Sequence, residues 1–523
     1  MAAGPILALT SGDIVQKELD LLDIQGNIVR AYGRYNFPYA RYVFLNIRDG
    51  KRGREFVAAV TKEVTTAGKW GEGPDDIKKP LSTVNIAFAY QGLKELELPR
   101  ASLIGFPMEF VMGMKKRKDI LGDDGNSAPE HWDPIWRENR ETDRHKDVHI
   151  WMSINGQTMA DVQNRYEWLQ QLVTHSAGGV AILSGHRGDN GADHLPFQDV
   201  HAVFENERPT SKEHFGYTDG IGDPVFAGLP CKPGRVIGRG KLLKNGTWEP
   251  LETGEFILGH RDEANEYPAA PAPQLLSRNG TFMVYRKLHE NVGTFNAFLE
   301  KEGQKYPGGK ELLAAKFVGR WRDNGAPLVS APDAESKTKW DTAFIAADPA
   351  TRDKMLSDFS FANDMDGAKC PFSSHLRRIN PRAALEFKPN AFETPTALAN
   401  RRRVMRRGLP YGEVKDPAKD DGNHGIVIMM INASISRQFE FVQQQWINYG
   451  NDFKAGNDKE IILGNHSEKF PSRAVLEVAP DSDQAPYFLS NIPRMVETRG
   501  GDYFFIPSLT ALRLIAKGLV DPT

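Results

Sequence analysis

The chain has 523 residues, 40% of them hydrophobic and 26% charged, with a formal net charge of −2. This is the composition of a globular protein long enough for two or three core-bearing units, and the charge balance excludes bulk electrostatic binding to nucleic acid or an acidic membrane, though not a local patch. Only Cys231 and Cys370 are present, which excludes a disulfide-dense scaffold and a four-cysteine metal site.

The opening MAAGPILALTSGD has no basic n-region, no twin arginine and too short an apolar run for a signal peptide. No stretch is apolar enough to span a bilayer. A cytoplasmic location is the expectation; a chain from which a signal had been removed would read the same way.

In chain order, the spacing predicts a helix over Ser11–Leu22 and a strand over Ala40–Ile47, rich in aromatic and β-branched residues. Arg54–Val64 has helical spacing, Thr83–Tyr90 alternates as a strand, and Gly92–Leu98 turns amphipathic. Residues 114–146 are charged and turn-rich and read as a surface excursion. A strand over Val148–Ile154 follows, then a helix over Thr158–Val173 with Thr158 as N-cap, then a strand over Gly179–Leu183. Strand, helix, strand, strand, helix, strand is the split βαβ, ferredoxin-like arrangement over an antiparallel sheet. The second half repeats the pattern with longer insertions: strands over Gly280–Leu288, Gly425–Asn432 and Tyr503–Pro507, and helices around Phe295–Phe298 and over Ile435–Trp446. The fold class expected is therefore α+β, with two ferredoxin-like domains over residues 1–210 and 211–523. Arg322–Asp353 and Lys415–Asn423 are polar and read as surface loops.

Three motifs stand out. In Gly216–Tyr217–Thr218–Asp219–Gly220, the glycines suit a tight backbone that fixes where the Asp219 carboxylate points, although Asp-Gly is also an ordinary turn. The stretch Cys370–Arg382 presents His375 among Arg377, Arg378 and Arg382, beside apolar Pro371 and Phe372. It reads as a basic surface helix, or as a histidine ligand whose arginines pair with the anionic propionates of a haem. The run RRRVMRRGLPYG, Arg401 to Gly412, carries five arginines in seven residues. Such a run is commonly solvated or contacts nucleic acid, but Gly408–Gly412 reads as an ordered turn.

Together and in this order the motifs resemble the dye-decolourising peroxidase family. The match is a GxxDG element at Gly216, Asp219 and Gly220, a CPFxxHxRxxNPR setting around His375, and an RRGxPYG element from Arg406 to Gly412. Length and insertions resemble the larger, later-branching subgroup, and two ferredoxin-like halves are that family's fold, of the dimeric α+β barrel type. The resemblance implies one haem b per chain with His375 as proximal iron ligand, Asp219 as distal acid–base residue and Arg406, rather than Arg407, as distal arginine. It implies a carboxylate behind the histidine, for which Glu440 and Asp452 are candidates. Tyr411 resembles a surface exit for electrons in some members, and Trp446 is a further relay candidate. Arg378 and Arg382 are expected to hold propionates. The implied activity is reduction of hydrogen peroxide and one-electron oxidation of dyes, phenols or related aromatics through a ferryl porphyrin radical. A haem carrier, sensor or iron-release protein needs His375 but not Asp219. A nucleic-acid module centred on residues 401–407 needs no pigment, and near-neutral charge speaks against it. Oligomeric state is open.

Overall fold

The structure is a computed structural model and describes residues 19–73, 76–137, 143–188, 191–388, 391–469, 471–477 and 484–518. The helix expected over Ser11–Leu22 falls largely outside them, and its described end, from Leu19, is a turn.

The main sheet has nine strands. Its first half comprises β1 (Tyr39–Ile47), β2 (Ser82–Phe88), β3 (Ile150–Gly156), β4 (Val180–Ile182) and β5 (Gln198–His201). The second comprises β6 (Thr281–Glu290), β7 (Met405–Tyr411), β8 (Gly425–Asn432) and β9 (Val496–Ile506). The spatial order is β7-β8-β6-β9-β2-β3-β1-β4, with β5 also beside β1. Each half thus runs second, third, first, fourth, the ferredoxin-like order, and every pairing between these strands is antiparallel.

Helices occupy the crossovers: α1 (Gly50–Thr61) and α2 (Met159–His175) in the first half, α3 (Val292–Gly303) and two consecutive π-helical segments (Ser436–Glu440, Val442–Ile447) in the second. Thr158 caps α2 as expected, in a full capping box with Asp161.

The halves join through one registered pair, Phe505 with Phe88. The sheet curls so that β7 approaches β5 without pairing, and no closed ladder forms among the described residues. Rings from both halves meet inside the curl. Phe44 of β1 lies 5.2 Å from Tyr285 of β6 and 4.9 Å from Trp136, both nearly edge-on.

Three elements differ from the expectation. The stretch 114–146 is no surface excursion over its described residues 114–137, where Met114, Leu121, Trp132 and Trp136 are buried. Their apolar residues lack any regular period because short helical turns bury them one at a time. Residues 405–411 form a strand, which makes the fold complete in the second half. The polar stretch after Arg322 contains helices over Ala334–Ala346 and Pro349–Ser357, each capped by an aspartate, Asp333 and Asp348. Among the described residues no helix is long and apolar enough to cross a membrane.

One buried ion pair ties the insertion to the second half. Lys287 Nζ of β6 meets Asp133 Oδ2 at 2.7 Å, with both side chains 0% exposed. Beside it a bulge in β9 places Gly500 under Trp136, where a Cβ would lie 2.0 Å from Cδ1 of the indole. Asp133→Ala leaves the lysine charge buried without its carboxylate. We expect it to cost about 3–5 kcal/mol of unfolding free energy, read from urea denaturation, whereas Lys69→Ala in an exposed pair costs at most ~1 kcal/mol.

Candidate functional site

His375 opens the helix His375–Ile379, and buried arginines hold that helix in place. Arg377 donates from Nε to the Cys370 carbonyl at 2.8 Å and pairs with Asp364. Asp364 also accepts the backbone N–H groups of Lys369 and Cys370, each at 2.9 Å. Arg378 donates to four carbonyls, of Phe372, Trp446, Tyr449 and Asp458. Arg382 donates to those of Ser357, Phe359 and Gly238. A buried guanidinium must satisfy its N–H groups, so these three arginines pin the segment around His375.

Neither Arg378 nor Arg382 lines the cavity that His375 faces, which corrects the expectation that they hold propionates. Arg378 spends Nε and both Nη groups on backbone carbonyls, and Arg382 spends both of its Nη groups the same way. The cavity has a volume of about 270 Å³ and a mainly apolar wall, including Ile379, Ile428, Met430, Phe439 and Ile462. The arginines that do line it are Arg286, Arg320, Arg402, Arg403 and Arg406.

Behind His375 stands Glu460, fully buried, with Oε1 3.5 Å from His375 Nδ1. The Glu460 carboxylate accepts backbone N–H groups of Ile462, at 2.9 Å, and of Leu463. Both earlier candidates for this carboxylate have other work. Glu440 pairs with Arg117 and accepts from the Tyr503 hydroxyl at 2.8 Å. Asp452 accepts from the Trp446 indole at 2.9 Å. Glu460 is 85 residues from the histidine in sequence; its one local signal is an acid set directly before Ile461–Ile462–Leu463, where a charge goes underground only with partners.

Across the cavity lie Asp219 and Arg406, joined at 3.0 Å between Oδ1 and Nη1. Arg406 and Arg407 are neighbours on β7, so they point to opposite faces. Arg407 turns away, donating to the carbonyls of Asn27 and Ile28 and pairing with Asp223 at 2.8 Å. Arg406 turns into the cavity, its backbone N–H held by Asp223 at 3.0 Å. Asp219 is shaped by its own turn: its N–H donates to the Ser211 carbonyl at 2.7 Å and Oδ1 accepts from Gly220 N–H at 2.5 Å. Gly220 has a φ of 77° and would carry a Cβ only 2.5 Å from Arg34 Nη2, so glycine is required there. Burial works to raise the Asp219 carboxyl, but Arg406, the Gly220 N–H, Arg34 and His375 outweigh it and hold Asp219 below the usual aspartate range.

Tyr411 is only 1% exposed and does not line this cavity. A ring buried at the end of β7 beneath Lys287, at 4.6 Å, is not a surface exit for electrons. Trp446 is buried as well.

The donor set bears on which iron group fits. Among the described residues no cluster of three His, Cys, Asp or Glu side chains is placed to hold a bare metal ion. A single histidine backed by a carboxylate, facing an apolar cavity, suits an iron whose other ligands come from a macrocycle. With Nδ1 turned to Glu460, Nε2 is the ring nitrogen on the cavity side. Arg320 is buried with Nη2 unpartnered. Burial pulls Arg320 down to about 9 and Arg403 down to about 10, so both remain cationic at neutral pH. These cations suit the two carboxylates of a haem.

The comparisons with known proteins agree with this geometry. A family model described as the DyP dimeric alpha+beta barrel domain matches residues 23–187. The dye-decolorizing peroxidase msp1 of Mycetinis scorodonius is 27% identical over 378 residues, 66% of this chain and 67% of that protein. Peroxidase 2 of the same fungus is 25% identical over 95% of this chain and 87% of its own. The solved structure of an ancestral D-type dye decolorizing peroxidase superimposes with a TM-score of 0.70 at 26% identity, covering 95% of this chain and 99% of that one. With the two ferredoxin-like halves and the shared fold, the chain is similar along most of its length to dye-decolourising, or DyP-type, peroxidases, and residues 23–187 match that family's domain.

Proposed function

We propose that this enzyme reduces hydrogen peroxide and oxidises dyes, phenols or related aromatic reductants in one-electron steps, with one haem b held in the cavity by His375. The observation that carries the reading is the convergence of His375, Asp219 and Arg406, from three distant segments, on one apolar cavity. When bound, the haem iron supplies an open coordination position for peroxide and stores the oxidising equivalents.

The residues divide the remaining work. Glu460 orients His375 through Nδ1 and makes the other ring nitrogen a stronger donor. Asp219, ionised, accepts a proton from the inner peroxide oxygen and returns it to the outer one, which leaves as water. Arg406 stays protonated and cannot act as base. It stabilises the charge that develops on the departing oxygen, in a site whose apolar wall strengthens the interaction. Arg320 and Arg403 take the propionates in place of Arg378 and Arg382. Both cysteines are free thiols, Cys231 exposed and Cys370 buried, which supports a reducing, cytoplasmic setting.

His375→Ala abolishes stable haem binding, read as loss of the Soret band after reconstitution; full haem loading in that variant overturns the ligand assignment. Asp219→Asn lowers the rate of reaction with peroxide by about 10²–10⁴-fold, the usual contribution of a positioned acid–base group, with haem content retained. A wild-type rate in that variant removes Asp219 from the mechanism.

The pH dependence has a definite sign. Asp219 must be ionised to accept the proton, and its surroundings hold its carboxyl below the ordinary value. The peroxide rate therefore persists through mildly acidic solution and falls only below the ordinary aspartate range, as Asp219 takes up a proton. Removing the cation in Arg406→Leu raises the Asp219 carboxyl and moves this acid limb to higher pH. An acid limb that stays in place in that variant shows that another group titrates.

A further inference from the structure

A second buried acid system adjoins Asp219. Glu213 and Glu290 both line the cavity, and the backbone N–H of His214, the residue after Glu213, donates to Glu290 Oε2 at 3.3 Å, so the two buried acids are neighbours. Two neighbouring buried carboxyl groups with no cation paired to either do not both ionise, so one carries a proton. The surroundings say which one it is. Glu213 accepts the backbone N–H of Tyr217 at Oε1 and of Phe215 at Oε2, each at 2.7 Å, and so has both oxygens in acceptor roles. Glu290 accepts one long contact, from His214 N–H at 3.3 Å, and keeps an oxygen for the shared proton.

No lysine or arginine forms an ion pair with either acid among the described residues. Arg322, a guanidinium whose charge reaches Glu213, is engaged with Glu311 and with the Phe215 carbonyl. The other groups facing the pair are Asp219, Tyr217 and His214. Burial pushes Glu290 well above the ordinary range, and the Glu213 charge beside it pushes the same way; burial lifts Glu213 to about 7.

Position gives the pair a use. A second cavity of about 210 Å³, lined by Arg30, Arg34 and Lys212, shares Glu213, Asp219 and Arg406 with the first. Glu213 therefore borders both spaces, and it lies on the same turn as Asp219. Reduction of peroxide follows H2O2 + 2 e− + 2 H+ → 2 H2O. When the aromatic donor gives up its electrons from outside the cavity, the two protons must arrive by another way.

We propose that Glu213 and Glu290 are a proton-sharing carboxyl pair that supplies the reductive steps, handing protons to Asp219 and refilling from the second cavity. The inference rests on the peroxidase reading above. In one transfer the proton held between the two acids passes from Glu213 across the cavity to Asp219. In that transfer the O–H bond of Glu290 breaks as its proton moves onto Glu213 and from there to Asp219, which leaves both acids ionised; Glu213 then takes a proton from the second cavity and passes it back to Glu290. Peroxide is the oxidant and the aromatic donor the reductant; the pair moves protons only.

The test combines infrared spectroscopy with stopped-flow kinetics on the haem-loaded enzyme and on Glu213→Gln, Glu290→Gln and Glu290→Asp. At neutral pH the wild type should show the carbonyl stretch of a buried protonated carboxyl, shifted in D2O and lost in Glu290→Gln. Reduction by a dye after one equivalent of peroxide should slow roughly tenfold in both glutamine variants, less than the ~10²-fold of a directly acting acid–base group. Its solvent isotope effect should rise, and Glu290→Asp, which keeps the carboxyl, should recover most of the rate. Survival of the whole band in Glu290→Gln overturns the shared proton. Unchanged reductive rates and isotope effects in the glutamine variants overturn the relay and leave the peroxidase reading standing. A wild-type enzyme that does not react with peroxide at all overturns both. Should the glutamine variants not fold, the aspartate variant decides: a shifted carboxyl band together with a changed isotope effect supports the relay, and wild-type values of both overturn it.

Discussion

A buried guanidinium that has left water must find acceptors, and this requirement fixes the loop that carries His375. Arg377 and Arg378 are both 0% exposed, on a helix of five residues with little stability of its own. Arg377 ties that helix back to Cys370 and Asp364, and Arg378 ties it across to carbonyls of segments some 70–80 residues later. These bonds, made where water is excluded, fix the position of the histidine. The same segments deliver Glu460, whose backbone N–H donates to the Ile447 carbonyl at 2.8 Å. Histidine and carboxylate are thus placed by one network.

The two sides of the cavity carry opposite electrostatic logic. Behind His375 a carboxylate is stabilised by backbone N–H groups, so the imidazole meets a fixed acceptor. On the opposite wall Asp219 is balanced by Arg406 and Arg34, which keep it ionised in spite of burial. Between the two walls Arg320 and Arg403 have no acid within ion-pair distance among the described residues. An excess of buried positive charge is unfavourable unless an anion joins it, and a dianionic haem is such an anion. The cavity is in this sense electrostatically incomplete as protein alone.

Sequence reading worked where the signal was local. Strands such as Gly425–Asn432 and the capped helix after Thr158 carry their period and cap in a few consecutive residues. It failed at residues 405–411, because a strand holding two arginines, a glycine and a proline has no strand composition. Pairing with β8 and exclusion from water on one face made it a strand. It failed also at 114–146, where buried Trp132 and Trp136 sit among charges with no period to betray them.

The sequence by itself determined the ferredoxin-like duplication, the motif residues Asp219, His375 and Arg406, and the family they resemble, since each is written in residue types at short spacing. Tertiary structure alone decided what stands behind the histidine, which arginines face the cavity, and that Tyr411 is buried. Glu440, Asp452 and Glu460 are equally acidic on paper, and Arg378, Arg382, Arg320 and Arg403 equally basic. What separates them is burial and the direction of a side chain, and both are set by contacts between segments tens to hundreds of residues apart.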